Sequence, residues 1–222
     1  MQEIIKKNIW FLVPYTLVGL TALVLILFTS KPDLHLAINQ FHNSFLDGLM
    51  KFLTFFGHGL FACSLAVVLL FWKIRYSVYL LVSYLSSGLV IQLLKHVFFP
   101  EALRPVPFLA PHELHLVQGI SILNNYSFPS GHAATAFAVF FVSSQISSSR
   151  VGRIIMAITA ILVAFSRTYL SQHFLEDILV GSFIGILAAT ASIYLTDNIK
   201  GIWKEKTVLS LAFNRKPNDA VH

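Results

Sequence analysis

Six apolar stretches, each close in length to a membrane-crossing helix, follow one another along this chain of 222 residues. A helix needs about 20 apolar residues to cross the hydrocarbon core of a bilayer. We predict spans near residues 9–29, 55–72, 76–94, 133–149, 154–172 and 178–196. Only 12% of the residues are charged and 56% are hydrophobic, whereas about a quarter of a soluble domain is charged. The sequence therefore predicts an all-α membrane protein, a six-transmembrane-helix bundle.

Two regions outside these spans differ from them in composition. Residues 30–50 mix apolar and polar side chains at near-helical spacing, which predicts an amphipathic interfacial helix between the first and second spans. Residues 96–128 are rich in proline and predict a long extramembrane loop. The first span is too long for the apolar part of a signal peptide and has no small-residue cleavage site after it, so we expect an uncleaved anchor.

The positive charges predict the orientation of the bundle. Of the 16 Lys and Arg residues, 11 fall on one side of the six-helix threading. That side should be cytoplasmic, because cytoplasmic loops are enriched in Lys and Arg. Residues 1–200 then form one six-span membrane domain, both termini are cytoplasmic, and residues 201–222 form a basic cytoplasmic tail. Topology accounts for the net charge of +6, so we expect no nucleic-acid partner.

Three polar motifs converge on the opposite, extracytoplasmic side. They are Lys95 with Arg104-Pro105, then Pro129-Ser130-Gly131-His132, and finally Ser166-Arg167 with His173 and Asp177. In the threading, the first motif ends the third span, the second begins the fourth, and the third surrounds the turn between the fifth and sixth. The sequence therefore predicts one site at the membrane–water boundary.

The cations and backbone donors of these motifs suit a phosphate group. Arg104 and Arg167 each carry a planar guanidinium that can bind two oxygens at once, and Lys95 adds a compact charge. Ser130 and Gly131 stand just before a helix start, where free N–H groups and the helix dipole favour an anion. Such a cluster can position a phosphoryl group and stabilise its charge, which is most of the catalysis of phosphoryl transfer.

Two histidines and one carboxylate complete the candidate catalytic set. His173 and Asp177 are four residues apart, which places both on one face if the segment is helical. The carboxylate can then accept a hydrogen bond from one imidazole nitrogen, which fixes the tautomer and leaves the other nitrogen free to attack phosphorus. His132 is the candidate general acid for the leaving oxygen.

These motifs resemble the signatures of the type 2 phosphatidic acid phosphatase family, which also includes glucose-6-phosphatase and the soluble vanadium haloperoxidases. The second signature, Pro-Ser-Gly-His, stands at residues 129–132, and the third keeps every spacing from Ser166 to Asp177. The first signature differs, because eight residues instead of the usual six separate Lys95 from Arg104-Pro105.

The resemblance implies a metal-independent hydrolase, without a cofactor, that works through a phosphohistidine on His173. It implies that the three cations and the Ser130–Gly131 backbone bind the phosphate, and that His132 is the acid. Its membrane members act on lipid phosphates and diphosphates. Undecaprenyl diphosphate, phosphatidylglycerol phosphate, phosphatidate and lipid A phosphates all remain open as substrates, and so does the oligomeric state. We expect a phosphatase in the bacterial plasma membrane, with a periplasmic site, whose partners are its lipid substrate and the bilayer.

Other activities fit parts of the pattern. Vanadate-dependent haloperoxidation would use the same pocket, but the haloperoxidase relatives are soluble. A lipid-phosphate transporter or flippase would use the same cations, but it has no need of His173 paired with Asp177. A metal site at His112, Glu113 and His115 is disfavoured, because the spacing matches no established ligand set. We expect the histidines outside the motifs to be solvated or interfacial: His35, His42, His58, His96, His112 and His115.

Overall fold

The structure is a computed structural model that describes residues 1–110 and 112–213. This part of the chain contains eleven α-helices and no β-strand. The helices are α1 (Gln2–Lys7), α2 (Ile9–Phe28), α3 (Lys31–Gln40), α4 (Ser44–Thr54), α5 (Gly59–Leu70), α6 (Ile74–Leu93), α7 (Pro105–Phe108), α8 (Gly131–Ile146), α9 (Arg150–Tyr169), α10 (Leu175–Asn198) and α11 (Val208–Phe213). Shorter helical turns occupy Phe55–Gly57, Leu94–Phe98 and Ile202–Glu205.

Four helices are long and apolar enough to cross a membrane, namely α2, α6 with its π-helical extension, α9 and α10. A fifth candidate span is the pair α4 and α5, which is bent by 57° at a break between Gly57 and Gly59. The described residues therefore form an all-α membrane protein with four or five candidate spans. The other predicted span corresponds to α8, whose 16 residues rise only about 24 Å, against about 30 Å of hydrocarbon core.

The short helix α8 lies among the other helices of the bundle and packs against α6, α9 and α10. Ten of its residues are buried. Phe137 and Phe141 meet Phe11 of α2 edge to face, with ring centroids 6.2 Å and 5.3 Å apart. Because α8 is surrounded largely by protein, it does not need the length of a lipid-facing helix.

Two glycines bring α10 close to α8. A Cβ at Gly181 would collide with the carbonyl oxygen of Ser130, and a Cβ at Gly185 would collide with that of Ala134. This four-residue spacing of small residues on both helices is common where membrane helices touch. The contact sets the first turn of α8 against the first turns of α10, so the second and third motifs lie side by side.

Between the first two apolar segments, the structure has two helices where one amphipathic helix was predicted over residues 30–50. Ser30 caps α3 by accepting from the amide of Asp33, and Asn43 caps α4 by accepting from the amide of Leu46 at 2.9 Å. Side-chain caps of this kind start a helix. The cap at Asn43 therefore divides the segment, although the apolar spacing continues through it.

The beginning of the predicted tail is helical and contacts the bundle. Glu205 lies 2.5 Å from the ammonium of Lys73 and 2.6 Å from the guanidinium of Arg75. The amide of Ile74 also donates to the carbonyl of Lys206 at 2.9 Å. Residues 214–222 of the tail lie outside the described residues.

Candidate active site

The three motifs meet around the first turns of α8 and α10. The Ser130 amide donates to the Asp177 carbonyl at 2.9 Å, which joins the second motif to the third. Arg104 Nη1 donates to the carbonyl of Gln172 at 3.0 Å, which joins the first motif to the residue before His173. Residues that are far apart in sequence thus form one cluster, as the threading predicted.

His173 and Asp177 form a buried pair. Their side chains are 2% and 0% exposed, and His173 Nδ1 lies 3.3 Å from Asp177 Oδ2. The same carboxylate oxygen accepts from the Ser127 hydroxyl at 2.5 Å and from the Phe174 amide at 3.0 Å. The carboxylate is therefore held firmly, and with Nδ1–H donating to it, the lone pair of His173 stays on Nε2.

The surroundings of His173 keep its ring neutral. Burial lowers its pKa well below the ordinary value, and the positive charges of Arg104, Arg167 and Lys95 act in the same direction. A neutral imidazole with a free Nε2 is the form that attacks an electrophile. The geometry and the electrostatics of the pair therefore both suit a nucleophile.

One glutamine connects the two arginines. Gln172 Oε1 lies 3.5 Å from Arg104 Nη1 and 3.5 Å from Arg167 Nη2. Arg167 Nη1 also donates to the Thr54 hydroxyl at 2.6 Å. Arg167 Nε is buried and has no partner among the described residues. An unpaired guanidinium N–H in such a place is a ready donor for a phosphate oxygen.

Lys95 and Arg104 are oriented by two neighbouring carbonyls of the loop. Lys95 Nζ donates to the carbonyl of Tyr126 at 2.7 Å, and Arg104 Nε donates to that of Asn125 at 3.0 Å. Lys95 lies in the π-helical turn Leu94–Phe98, which takes one residue more than an α-turn. The longer spacing of the first motif is thus compatible with bringing both cations to the same place.

Burial lowers the pKa of Arg104, and the charge of Asp177 acts in the opposite direction. The guanidinium nevertheless remains charged, because the pKa of arginine starts above 12.

The second motif forms the start of α8. The Ser130 hydroxyl oxygen accepts from the Ala133 amide at 3.4 Å and caps the helix. Since the Ser130 amide already donates to Asp177, the donors left for an anion are the hydroxyl hydrogen and the first N–H groups of the helix, which have no intrahelical partner. His132 is half-buried on this turn, and its ring centroid lies 5.8 Å from that of His58.

Three residues that hold the site together could not be identified from the motifs. Ser127 and Gln172 stand next to predicted residues, but nothing in their spacing shows that one binds Asp177 and the other both arginines. Thr54 lies between the interfacial helix predicted over residues 30–50 and the span predicted from residue 55, and its contact with Arg167 depends on how α4 folds back. Adjacency to a motif was the one signal that pointed to Ser127 and Gln172.

Two of the six histidines outside the motifs are not exposed: His35 is buried and His115 is half-buried, whereas His42, His58, His96 and His112 are exposed. His35 is 2% exposed, and its Nε2 lies 3.2 Å from the Ser171 hydroxyl; the prediction for His35 is wrong, because α3 packs against the turn before His173. His115 Nε2 lies 3.0 Å from Asp47 Oδ2, and its ring stacks on that of His42 at 3.8 Å between centroids. Within residues 1–110 and 112–213, no group of three or more His, Cys, Asp or Glu residues could hold a metal ion.

A buried His–Asp pair beside three cations, in a bundle of membrane-length helices, defines a membrane enzyme that acts on phosphate esters. The PAP2 superfamily matches residues 76–200, more than half of the chain, and the chain belongs to that superfamily. It is a lipid phosphate phosphatase of this metal-independent hydrolase family. The resemblance inferred from the motifs is thereby confirmed.

Known relatives agree in sequence and fold. The undecaprenyl-diphosphatase of Sulfolobus acidocaldarius is 28% identical over 155 residues, which cover 69% of this chain and 72% of that protein. The crystal structure of Aquifex aeolicus LpxE superposes with a TM-score of 0.67 at 26% identity, covering 75% of this chain and 96% of that one. A transmembrane PAP2 type phosphatidylglycerolphosphate phosphatase from Bacillus subtilis gives a TM-score of 0.62 at 21% identity, covering 88% and 98%, and it supports the fold.

Proposed function

We propose that this protein hydrolyses a lipid phosphomonoester or diphosphate through a phosphohistidine formed on His173. The observation that carries the proposal is the neutral His173, held by Asp177 through Nδ1, in a cluster with Arg167, whose Nε has no partner among the described residues. Nε2 of His173 attacks phosphorus, while Lys95, Arg104 and Arg167 stabilise the charge on the equatorial oxygens.

His132 acts in both halves of this reaction. It first gives a proton to the oxygen that leaves with the lipid. The same ring then takes a proton from the water that attacks the phosphohistidine, which frees inorganic phosphate and restores His173. The three cations supply the positive charge that a metal ion supplies in other phosphatases.

The test is phosphate release by the purified protein in detergent, with excess EDTA present. The panel comprises undecaprenyl diphosphate, phosphatidylglycerol phosphate, phosphatidate and lipid A phosphates. It includes the lipids in the names of two relatives and the other substrates left open by the sequence. At least one lipid should be hydrolysed despite the chelator, and vanadate should inhibit by adopting a trigonal-bipyramidal geometry. Strict dependence on added Mg²⁺ or Zn²⁺ would contradict the proposal. Lipid movement across vesicles without hydrolysis would instead favour a transporter or flippase.

We further propose six spans in a bacterial plasma membrane, with the site extracytoplasmic and both termini cytoplasmic. The bent pair α4–α5 and the short α8 are the two additional crossings beside the four long helices. The distribution of Lys and Arg supports this orientation, and two relatives of similar fold are bacterial.

Cysteine labelling in intact cells tests the orientation. The exposed Cys63 is first replaced by serine, and single cysteines are placed at Gln118 or Ser149. A membrane-impermeant thiol reagent should label the first position in intact cells and the second only after permeabilisation. The reverse pattern would invert the topology.

A further inference from the structure

A cleft of about 530 Å³ opens beside His132, and the phosphate-binding cations do not line it. Its walls are the break between α4 and α5, one face of α6 and the first turn of α8. The residues that line it are Gly57, His58, Gly59, Leu60, Cys63, Tyr84, Gly88, Ile91, Gln92, Gly131, His132 and Thr135. His132 therefore belongs both to the catalytic cluster and to this cleft. Because His132 is the proposed acid, the group that it protonates on departure extends into the cleft.

The cleft wall presents a donor of fixed orientation. The Leu60 amide donates to His58 Nδ1 at 3.2 Å, so the ring proton of neutral His58 is on Nε2. The His58 ring stands edge to face on His132, at 73° and 5.8 Å between centroids. This places an N–H donor next to the proposed acid, in a cleft without an Asp or Glu in its lining.

Two glycines shape this wall. A Cβ at Gly59 would collide with the Tyr84 hydroxyl, so the glycine admits that hydroxyl to the start of α5. Gly88, on the α6 wall, has nothing within 4 Å of its Cβ position and leaves open space. The cleft thus combines a polar end, at His58 and Tyr84, with room for a group that continues from it.

Resting on the proposed function, we propose that His58 and Tyr84 form a leaving-group subsite that selects lipid diphosphates over lipid monophosphates. In a monophosphate ester the leaving oxygen is bonded to carbon, and the two donors face an apolar chain. In a diphosphate the leaving group is itself a phosphate, whose free oxygens accept from His58 Nε2 and from the Tyr84 hydroxyl. Hydrogen bonds to a charged acceptor are stronger than those to a neutral one, so the two donors favour the diphosphate.

The reaction balances without a further reactant. His173 Nε2 bonds to the terminal phosphorus as the bond from that phosphorus to the bridging oxygen breaks. The bridging oxygen leaves with the lipid monophosphate and receives the proton of His132. Water then cleaves the phosphohistidine, so one diphosphate and one water give one lipid monophosphate and one inorganic phosphate.

The test compares a polyprenyl diphosphate with the monophosphate of the same chain length, through kcat/KM for phosphate release. His58→Asn keeps an acceptor that caps α5 but removes the Nε2 donor, and Tyr84→Phe removes the hydroxyl. Cys63→Ala, in the same cleft, is the control. For the diphosphate, kcat/KM should fall about 10- to 100-fold in His58→Asn and about 3- to 10-fold in Tyr84→Phe. It should stay within about threefold of wild type for the monophosphate and in the control.

The outcomes separate this inference from the proposed function. If wild type hydrolyses both lipids and His58→Asn loses both equally, or loses neither, the subsite is refuted and the phosphatase function stands. If wild type releases phosphate from no lipid of the wider panel, the proposed phosphatase function itself is refuted. Melting temperatures of the variants near that of wild type show that any loss is not loss of fold.

Discussion

The site has two halves that are built differently. The half carried by α8, α9 and α10 holds His173 through a buried carboxylate that accepts several hydrogen bonds, and its helices touch at glycines. In the other half, Lys95 and Arg104 reach the site from the end of α6 and from the loop, and loop carbonyls orient their side chains. The first half is fixed by the core of the bundle, and the second by the path of one loop.

This difference in construction matches the chemical role of each half. Attack on phosphorus needs the reacting atoms aligned at about 3–3.5 Å, so a small displacement of the nucleophile is costly. Stabilisation of charge varies slowly with distance, as the inverse of the separation. The covalent step therefore needs a nucleophile held by the rigid half, whereas the cations can act from a loop because small changes in their position matter less. This reasoning ranks the expected effects of substitution, from the nucleophile outward.

The largest effect is expected for His173→Ala. Among the described residues of the cluster, His173 is the histidine paired with a carboxylate, so kcat should fall by roughly 10³-fold or more. Single-turnover phosphate release with the purified variant measures this directly, and its melting temperature reports on the fold. Substantial turnover by a folded His173→Ala protein would show that His173 is not the nucleophile. It would also contradict the assignment of the covalent step to the rigid half of the site.

The next effect is expected for the carboxylate that orients His173. Asp177→Asn keeps the size of the side chain but loses the charge and the fixed tautomer of His173, so kcat should fall about 10²- to 10³-fold while KM changes little. Ser127→Ala removes one donor from the same carboxylate and should cost only about 10-fold. Measured kcat and KM for the pair test the ranking, which a rise in KM as the main effect would contradict.

A smaller effect is expected where the two halves meet, at Gln172. Gln172→Ala frees both guanidinium groups, which can still approach the phosphate, so kcat/KM should fall about 10-fold. Gln172→Glu keeps the shape but adds a negative charge between Arg104 and Arg167, and it should raise KM more than the alanine variant does. If Gln172→Ala were as damaging as Asp177→Asn, the cations would need the same rigid placement as the nucleophile.

The same division explains how much the sequence could predict. The start of α8 depends on local signals, so it could be predicted directly. The four-residue spacing also predicted the contact between His173 and Asp177, but His173 lies before α10, which begins at Leu175, and Asp177 reaches back to it from the first turn of that helix. Gln172 and Thr54 act through partners that only the tertiary fold brings near. The division of residues 30–50 into α3 and α4 depends on the cap at Asn43, which apolar periodicity does not reveal. The predicted span over residues 133–149 is close in length to α8, but the burial of α8 among other helices depends on the tertiary fold.

The smallest effect concerns a histidine that supports the turn before the nucleophile. His35 of α3 contacts the hydroxyl of Ser171, a residue with φ of 51° in the turn between α9 and α10. Burial lowers the pKa of His35 to about 4, with the charge of Asp177 opposing and that of Lys31 adding to the shift. His35 is thus neutral in the folded protein over a range of pH in which an unfolded chain would protonate it.

The sign of the pH effect follows from this lowered pKa. Below the ordinary histidine pKa of about 6.5, His35 is protonated in the unfolded chain but stays neutral in the folded protein until about pH 4. His35 therefore lowers the free energy of unfolding progressively as the pH falls between these values. His35→Gln keeps a polar contact to Ser171 without titrating. The melting temperature of the variant should therefore be at or below that of wild type at pH 7.5. It should decrease less than the wild-type melting temperature as the pH falls to 4.5. Melting curves in detergent at both pH values give the comparison, and parallel losses in the two proteins would show that His35 titrates in the folded state as it does in water.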